Sequence, residues 1–236
     1  MTHPFKKVMA SLAIAAGATG AWAGTASAAS PASATPAANL ATVKAKAAAA
    51  ISMRLSSLDT AVTAVNANKW LTPSDKATAL QILDNDSSGL TALGAKIQSD
   101  TTLSVAISDY RTIFTGYRVY LLALPQIRLA AASDDLSTGV LTRLTDAQNR
   151  LESLLSGKDH SKDTPSVQAA MTDLASQLTA IRQETNGLSG TLLAYTPAEY
   201  DANTALLSPA RTALKSARTD VKTARQDIVT VVEALK

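Results

Sequence analysis

A chain of 236 residues with 22 Lys plus Arg, 19 Asp plus Glu, two His and no Cys excludes several chemistries at once. Without cysteine there is no disulfide, no thiolate nucleophile, no thiolate metal site and no lipid-modified cysteine. The hydrophobic share is 46% but the aromatic share only 4%, so alanine supplies much of the apolar surface and the core must be narrow and closely packed.

The N-terminus reads as a secretory signal over residues 1–28. His3, Lys6 and Lys7 give a basic start, residues 8–24 are weakly apolar, and Ala26-Ser27-Ala28 fits a cleavage site. Gly17, Gly20 and Gly24 argue against a retained membrane anchor, and no later segment is apolar enough to span a bilayer. Cleavage removes Lys6 and Lys7 but no acid, so Lys plus Arg falls from 22 to 20 against 19 acids and the net charge drops from +3 to about +1. That balance gives no support to a nucleic-acid partner. Residues 29–38 carry Pro31 and Pro36 and no apolar side chain larger than alanine, the composition of a flexible leader. The remaining residues, 39–236, read as a single helical-bundle domain.

The spacing predicts a first helix over 39–68, with Ala47, Ile51, Leu55, Leu58, Val62 and Val65 among the residues on one face. A second follows over 73–99, opened by Thr72-Pro73 and using Leu80, Leu83, Leu90, Leu93 and Ile97. Their short connector predicts an antiparallel pair. Within the second helix, Asp84-Asn85-Asp86-Ser87-Ser88-Gly89 matches the opening of a calcium loop, but Ala92 and Ala95 stand where positions nine and twelve need oxygen ligands. The segment therefore reads as a polar helix face.

A third segment begins near Thr102 and meets Pro125 in mid-pattern, where the missing N–H and the ring should force a kink or break. Four of its aromatics, Tyr110, Phe114, Tyr117 and Tyr120, fall close together in a chain otherwise poor in them. Tyr110, Phe114, Tyr117, Leu121 and Leu124 follow four-three spacing, which places them in the core at the widest part of a bundle. The functional alternative is a recognition surface in which Tyr110, Arg111, Tyr117, Arg118, Tyr120 and Arg128 grip an anionic or sugar-like ligand beside Pro125. The continuation over 126–156 should end on a left-handed cap at Gly157.

Residues 157–164 form a polar turn holding His160, the one histidine left after signal removal, so a His-based metal cluster or bis-His haem site within one subunit is excluded. No metal and no cofactor is expected. Glu152, Glu184, Glu199 and Glu233 lie far apart without a cleft-forming segment, and no nucleophile has an oriented base, so no catalytic residue is assigned. A helix over 165–195 is opened by Thr164-Pro165 and weakened by Gly187 and Gly190. Thr196 to Glu199 fits a capping box before a short helix at Pro197, and Ser208-Pro209 should cap the last one. That last helix carries a heptad seam, Ala210, Leu214, Ala217, Val221, Ala224, Ile228, Val231 and Leu235, able to pack within the chain or between copies. Arg211, Lys215, Arg218, Lys222 and Arg225 line one flank of it, a basic stripe suited either to pairing with a neighbouring helix or to holding wall polymers or anionic head groups.

The run Tyr117-Arg-Val-Tyr-Leu-Leu-Ala-Leu-Pro-Gln-Ile-Arg-Leu-Ala-Ala-Ala-Ser-Asp134, with the segments beginning at Thr196-Pro197 and Ser208-Pro209, resembles an uncharacterised family of exported helical proteins of actinobacteria and some other bacteria. The resemblance covers most of residues 50–236 and implies an envelope or extracellular setting and an all-α fold. It carries over no catalytic residue. The sequence thus predicts an all-α, elongated antiparallel bundle with coiled-coil packing, secreted or envelope-associated. It should be non-enzymatic and structural or interactive, with an unidentified protein or cell-wall polymer as partner and self-association open. A ligand-binding module built on residues 110–128 is the alternative, and an amphipathic lipid-surface protein ranks behind it.

Overall fold

Hydroxyl-proline pairs start three helices by the mechanism the sequence suggests. In the computed structural model, which describes residues 36–157 and 159–236, Thr72 Oγ1 accepts from Asp75 N–H at 3.1 Å and Thr164 Oγ1 from Val167 N–H at 3.4 Å. Thr196 and Glu199 close a reciprocal capping box. Each hydroxyl satisfies an orphan donor of the first turn, while the proline beside it has no N–H to leave unpaired. The resulting helices are α1 (Pro36–Ala67), α2 (Pro73–Ser99), α3 (Leu103–Thr115), α4 (Leu124–Asp134), α5 (Leu141–Ser156), α6 (Pro165–Thr185), α7 (Leu188–Leu193), α8 (Pro197–Ala202) and α9 (Ser208–Ala234). No strand occurs among the described residues, and the fold is all-α. The signal read over 1–28 lies outside the described residues. So does most of the leader, whose last three positions already belong to α1.

Four boundaries differ from expectation. The break near Pro125 comes earlier: α3 stops at Thr115, and Arg118 takes a left-handed backbone at φ 46°. From Val119 the chain then stays helical to Ser156, because π-helical turns at Val119–Ala123 and Asp135–Val140 join directly onto α4 and α5. Leu124 N–H reaches back to Val119 O, and the Pro125 ring falls just after this widened turn, at the start of α4. Second, the helix expected over 165–195 divides at Gly187, whose φ of 65° costs no Cβ clash. Third, Gly157 caps α5 at φ −105°, not in the left-handed region. Fourth, Ser208 is the first residue of α9 rather than its cap, and Leu207 occupies the cap without a side-chain bond.

Two larger clusters and a smaller one form the core. Around Leu58, Leu83, Leu90, Ile113, Leu122 and Leu192, each at most 1% exposed, α1, α2, α3, α4 and α7 meet. A second cluster joins α5, α6 and α9 through Leu144, Leu174, Ile181, Leu214, Ala217 and Val221. Val167 and Val231 share the third with Leu151 and Leu155. The seam of α9 is therefore used inside the chain, against α6, with Ala217 and Ala224 fully buried where the two helices approach. Lys44 Nζ donates to Gln98 O at 2.7 Å and Gln98 Nε2 to Lys44 O at 3.3 Å, tying the start of α1 to the end of α2.

The α1–α2 turn docks on the long helix. Asp134 is 3% exposed, and its Oδ2 accepts from Thr72 N–H at 3.0 Å. Beside it, Asp75 Oδ2 accepts from Thr72 Oγ1 at 3.0 Å and from Ser189 Oγ at 2.9 Å, which adds α7 to the joint. Burial pushes the Asp134 carboxyl above its ordinary range, and the charge of Asp75 acts in the same direction. Trp70 lies over Gly139, where a Cβ would stand 2.8 Å from the indole, and the Arg143 guanidinium sits 5.2 Å from the ring centre.

Because Ala224 is fully buried at the α6–α9 contact, Ala224→Leu is expected to overpack it and lower unfolding stability by about 1–3 kcal/mol. Val229→Leu, at a 45% exposed position of the same helix, should stay within about 0.5 kcal/mol, both being read by urea denaturation.

Candidate functional site

The tyrosine-rich segment does not form one surface. Its break at Gly116–Arg118 sends neighbouring aromatic residues to two different places. Ile113, not Phe114, takes the buried position on α3, leaving Phe114 37% exposed. The four-three stripe expected in the core is thus interrupted, with Tyr110 and Tyr117 half-buried and Leu121 50% exposed.

One place is a platform built on Arg54 of α1. This arginine is 9% exposed, and its Nη1 donates to Ala50 O at 2.9 Å. Its guanidinium carbon stands 4.5 Å from the Phe114 ring centre and 5.2 Å from that of Tyr120. Tyr110 packs edge-on against Phe114 at 5.2 Å. Tyr120 Oη donates to Met53 O at 3.2 Å and lies 3.1 Å from Ser57 Oγ. No described carboxylate forms an ion pair with Arg54, so the two aromatic faces and one carbonyl are what stabilise its charge. Met53, Phe114, Tyr120 and Leu121 remain exposed around it.

The other place is a cavity of about 290 Å³ between α2, the turn at Val119–Ala123, α4 and the segment after α7. Asp86, Tyr117, Gln126, Tyr195 and Thr196 give it polar or aromatic character, and Leu122 and Leu193 are among its apolar walls. Tyr117 reaches it by lying across Gly89, where a Cβ would come within 2.6 Å of the ring. Gln126 is 2% exposed, and neither its Oε1 nor Asp86 Oδ2 has a hydrogen-bond partner. Burial pushes the Asp86 carboxyl up to about 6. Tyr117 is also raised, by burial and then by the Asp86 charge.

The three arginines of the expected recognition surface go elsewhere. Arg111 and Arg128 are exposed. Arg118 binds Asp201 of α8, with Nη2 at 2.5 Å and Nε at 2.6 Å from the same Oδ1, and its guanidinium stands 6.0 Å from the Tyr200 ring. Tyr110 and Tyr120 thus belong to the platform and Tyr117 to the cavity, while none of the three arginines lines that cavity. In the basic stripe, Arg211, Lys215, Arg218, Lys222 and Arg225 are all exposed, and none pairs with a described carboxylate. Asp84 to Gly89, the partial calcium-loop match, lies within α2.

Arg54, Asp86 and Gln126 were not singled out as site residues by the sequence pattern, although a signal for the first two is present. Arg54 sits three after Ile51 and four before Leu58, and Asp86 three after Leu83 and four before Leu90. Each is a charged residue on an otherwise apolar four-three stripe. No family model, no curated protein and no solved structure matches this chain.

Asp86 titrates higher in the folded protein than in an unfolded chain, where a carboxyl ordinarily titrates near 3.9. The folded state then holds the extra proton, so stability falls as pH rises from about 4 through 6 and levels off above that. Asp86→Asn should remove this dependence. Its melting temperature is expected to exceed that of the parent at pH 7–8, with the advantage shrinking toward pH 4, as measured by thermal scans across that range.

Proposed function

We propose that this chain is an exported, non-enzymatic interaction protein of the cell envelope or extracellular space, an elongated antiparallel bundle with coiled-coil packing. Support for export is the signal-like sequence of residues 1–28 and the family resemblance of residues 50–236. Val167 at the start of α6 shares a cluster with Val231 near the end of α9, and Ile181 near the end of α6 shares one with Leu214 near the start of α9, which supports the antiparallel arrangement. The observation that carries the interaction reading is the Arg54 platform. Exposed Met53, Phe114 and Tyr120 around a pinned arginine have the composition typical of the energetic centre of interfaces. Arg54 and Tyr120 are already hydrogen-bonded, so a partner meets side chains that lose little further freedom. A protein or a cell-wall polymer would take this place, and the exposed basic stripe on α9 would add contact with an anionic one.

The test is capture of the purified protein by peptidoglycan-containing sacculi and cross-linking on intact cells. The double variant Phe114→Ala/Tyr120→Ala should lose at least about tenfold in capture, about 1.4 kcal/mol, with unchanged circular dichroism. Val229→Ala should bind as the parent does. Undiminished capture by the double variant, or no capture in either assay, would sink the reading.

A second reading, a ligand-binding module, is favoured by the cavity beside Tyr117. Its mixed apolar and aromatic lining and two unpartnered oxygens are the features of a small-molecule site.

A further inference from the structure

Building on that second reading, we propose that the cavity between α2, α4 and the end of α7 binds the ammonium group of a small organic amine, with Asp86 as counter-charge, Gln126 as second acceptor and Tyr117 and Tyr195 as aromatic walls.

The chemistry follows from what the cavity lacks. Asp86 Oδ2 and Gln126 Oε1 are buried acceptors with no donor supplied by the protein. A buried acceptor left unpaired costs about 1–3 kcal/mol, and more when it is charged, so an occupant that brings N–H groups gains what the folded chain forgoes. An anion would face the Asp86 carboxylate, and no lysine, arginine or histidine lines the cavity to offset it. A neutral hydroxyl could donate once but would leave the carboxylate charge uncompensated. An ammonium supplies three donors and the opposite charge together.

The walls agree with a cation. Aromatic faces attract positive charge through the ring quadrupole, and Tyr117 and Tyr195 both line the space. Gln126 adds adaptability, since its amide can present either its oxygen or its NH₂ to the body of the ligand. A volume of about 290 Å³ restricts the occupant to a small molecule, with Leu122, Ala123 and Leu193 meeting its aliphatic part. Burial keeps the Asp86 carboxyl near 6, so it is mostly ionised at neutral pH and ready to pair. No second carboxylate and no lysine, arginine or histidine lines the cavity, and burial pushes the Tyr117 phenol upward, so a change in binding between pH 5 and 7.5 reports on Asp86.

Isothermal titration of the full domain with n-pentylamine, 1-pentanol and valerate tests this, because the three share a chain and differ in charge. The amine is expected to bind saturably at about 1 mM or tighter, and the alcohol and the acid at least about tenfold more weakly. Lowering the pH from 7.5 to 5 should weaken the amine as the carboxylate protonates. Asp86→Asn should lose at least about tenfold while staying folded. Gly89→Ala, whose new methyl displaces the Tyr117 ring, should also weaken it, and Val229→Ala should not. Equal binding of the amine by the Asp86→Asn variant, or preference for valerate or pentanol, would overturn the amine assignment and leave a ligand-binding cavity standing. Absence of saturable binding by all three would overturn both.

Discussion

The joint at Asp134 docks the α1–α2 turn on the helix that runs through both larger cores. A single buried carboxylate at the end of α4 accepts the Thr72 N–H from the α1–α2 turn, and Asp75 extends the network through Thr72 Oγ1 to Ser189 on α7. Leu122 and Ile127 before this point belong to the first cluster, and Leu136 and Leu144 after it to the second. Without Asp134 the Thr72 N–H would lose its acceptor in a part-buried setting, and the hairpin would be left with the Asp75–Ser189 bond, buried Leu71 and the Trp70 contacts at this end. The π turn that follows Asp134 brings Gly139 under the indole, so the polar joint and the apolar one are neighbours on the same helix.

Charged groups recur elsewhere in this narrow core, each with different surroundings. Arg54 and Asp86 occupy equivalent places on the stripes of α1 and α2, each with leucine or isoleucine three before and four after. Arg54 has two aromatic rings and the Ala50 carbonyl around its guanidinium. Asp134 has a backbone donor. Asp86 has neither, and burial raises its carboxyl as it raises that of Asp134. Asp227, on α9, shows the same pattern, an unpartnered Oδ2 and a carboxyl raised by burial.

Much of the fold was legible because alanine-rich helices announce themselves by spacing and by their caps. α2 spans the predicted 73–99, and the seam of α9 buries Ala210, Leu214, Ala217, Val221, Ala224 and Val231 as read. The site was less legible, for a physical reason. Spacing arguments assume an unbroken helix, and residues 110–128 contain one terminus, one left-handed arginine and one π turn. Pro125, the obvious breaker, falls just after a widened turn, at the start of α4, whereas Gly116, Tyr117 and Arg118 carry the break with no proline among them. On α3 the inward stripe is Ala106, Tyr110 and Ile113, which leaves Phe114 on the neighbouring, exposed face.

That break is also what separates the two candidate sites. In a continuous helix Tyr117 and Tyr120, three apart, would lie on one face and serve one surface. With Arg118 left-handed, Tyr117 instead crosses Gly89 of α2 and enters the cavity, while Tyr120 turns to Met53 and Ser57 of α1. A non-glycine residue in this conformation costs of order 1–2 kcal/mol. The paired contacts from its side chain to Asp201 and the Tyr200 ring offset that cost, and they tie it to α8, a helix that buries no residue of its own. α8 thus meets the break through Arg118, packs Tyr200 against the first core cluster, and through Thr196 and Pro197 at its start supplies part of the cavity wall.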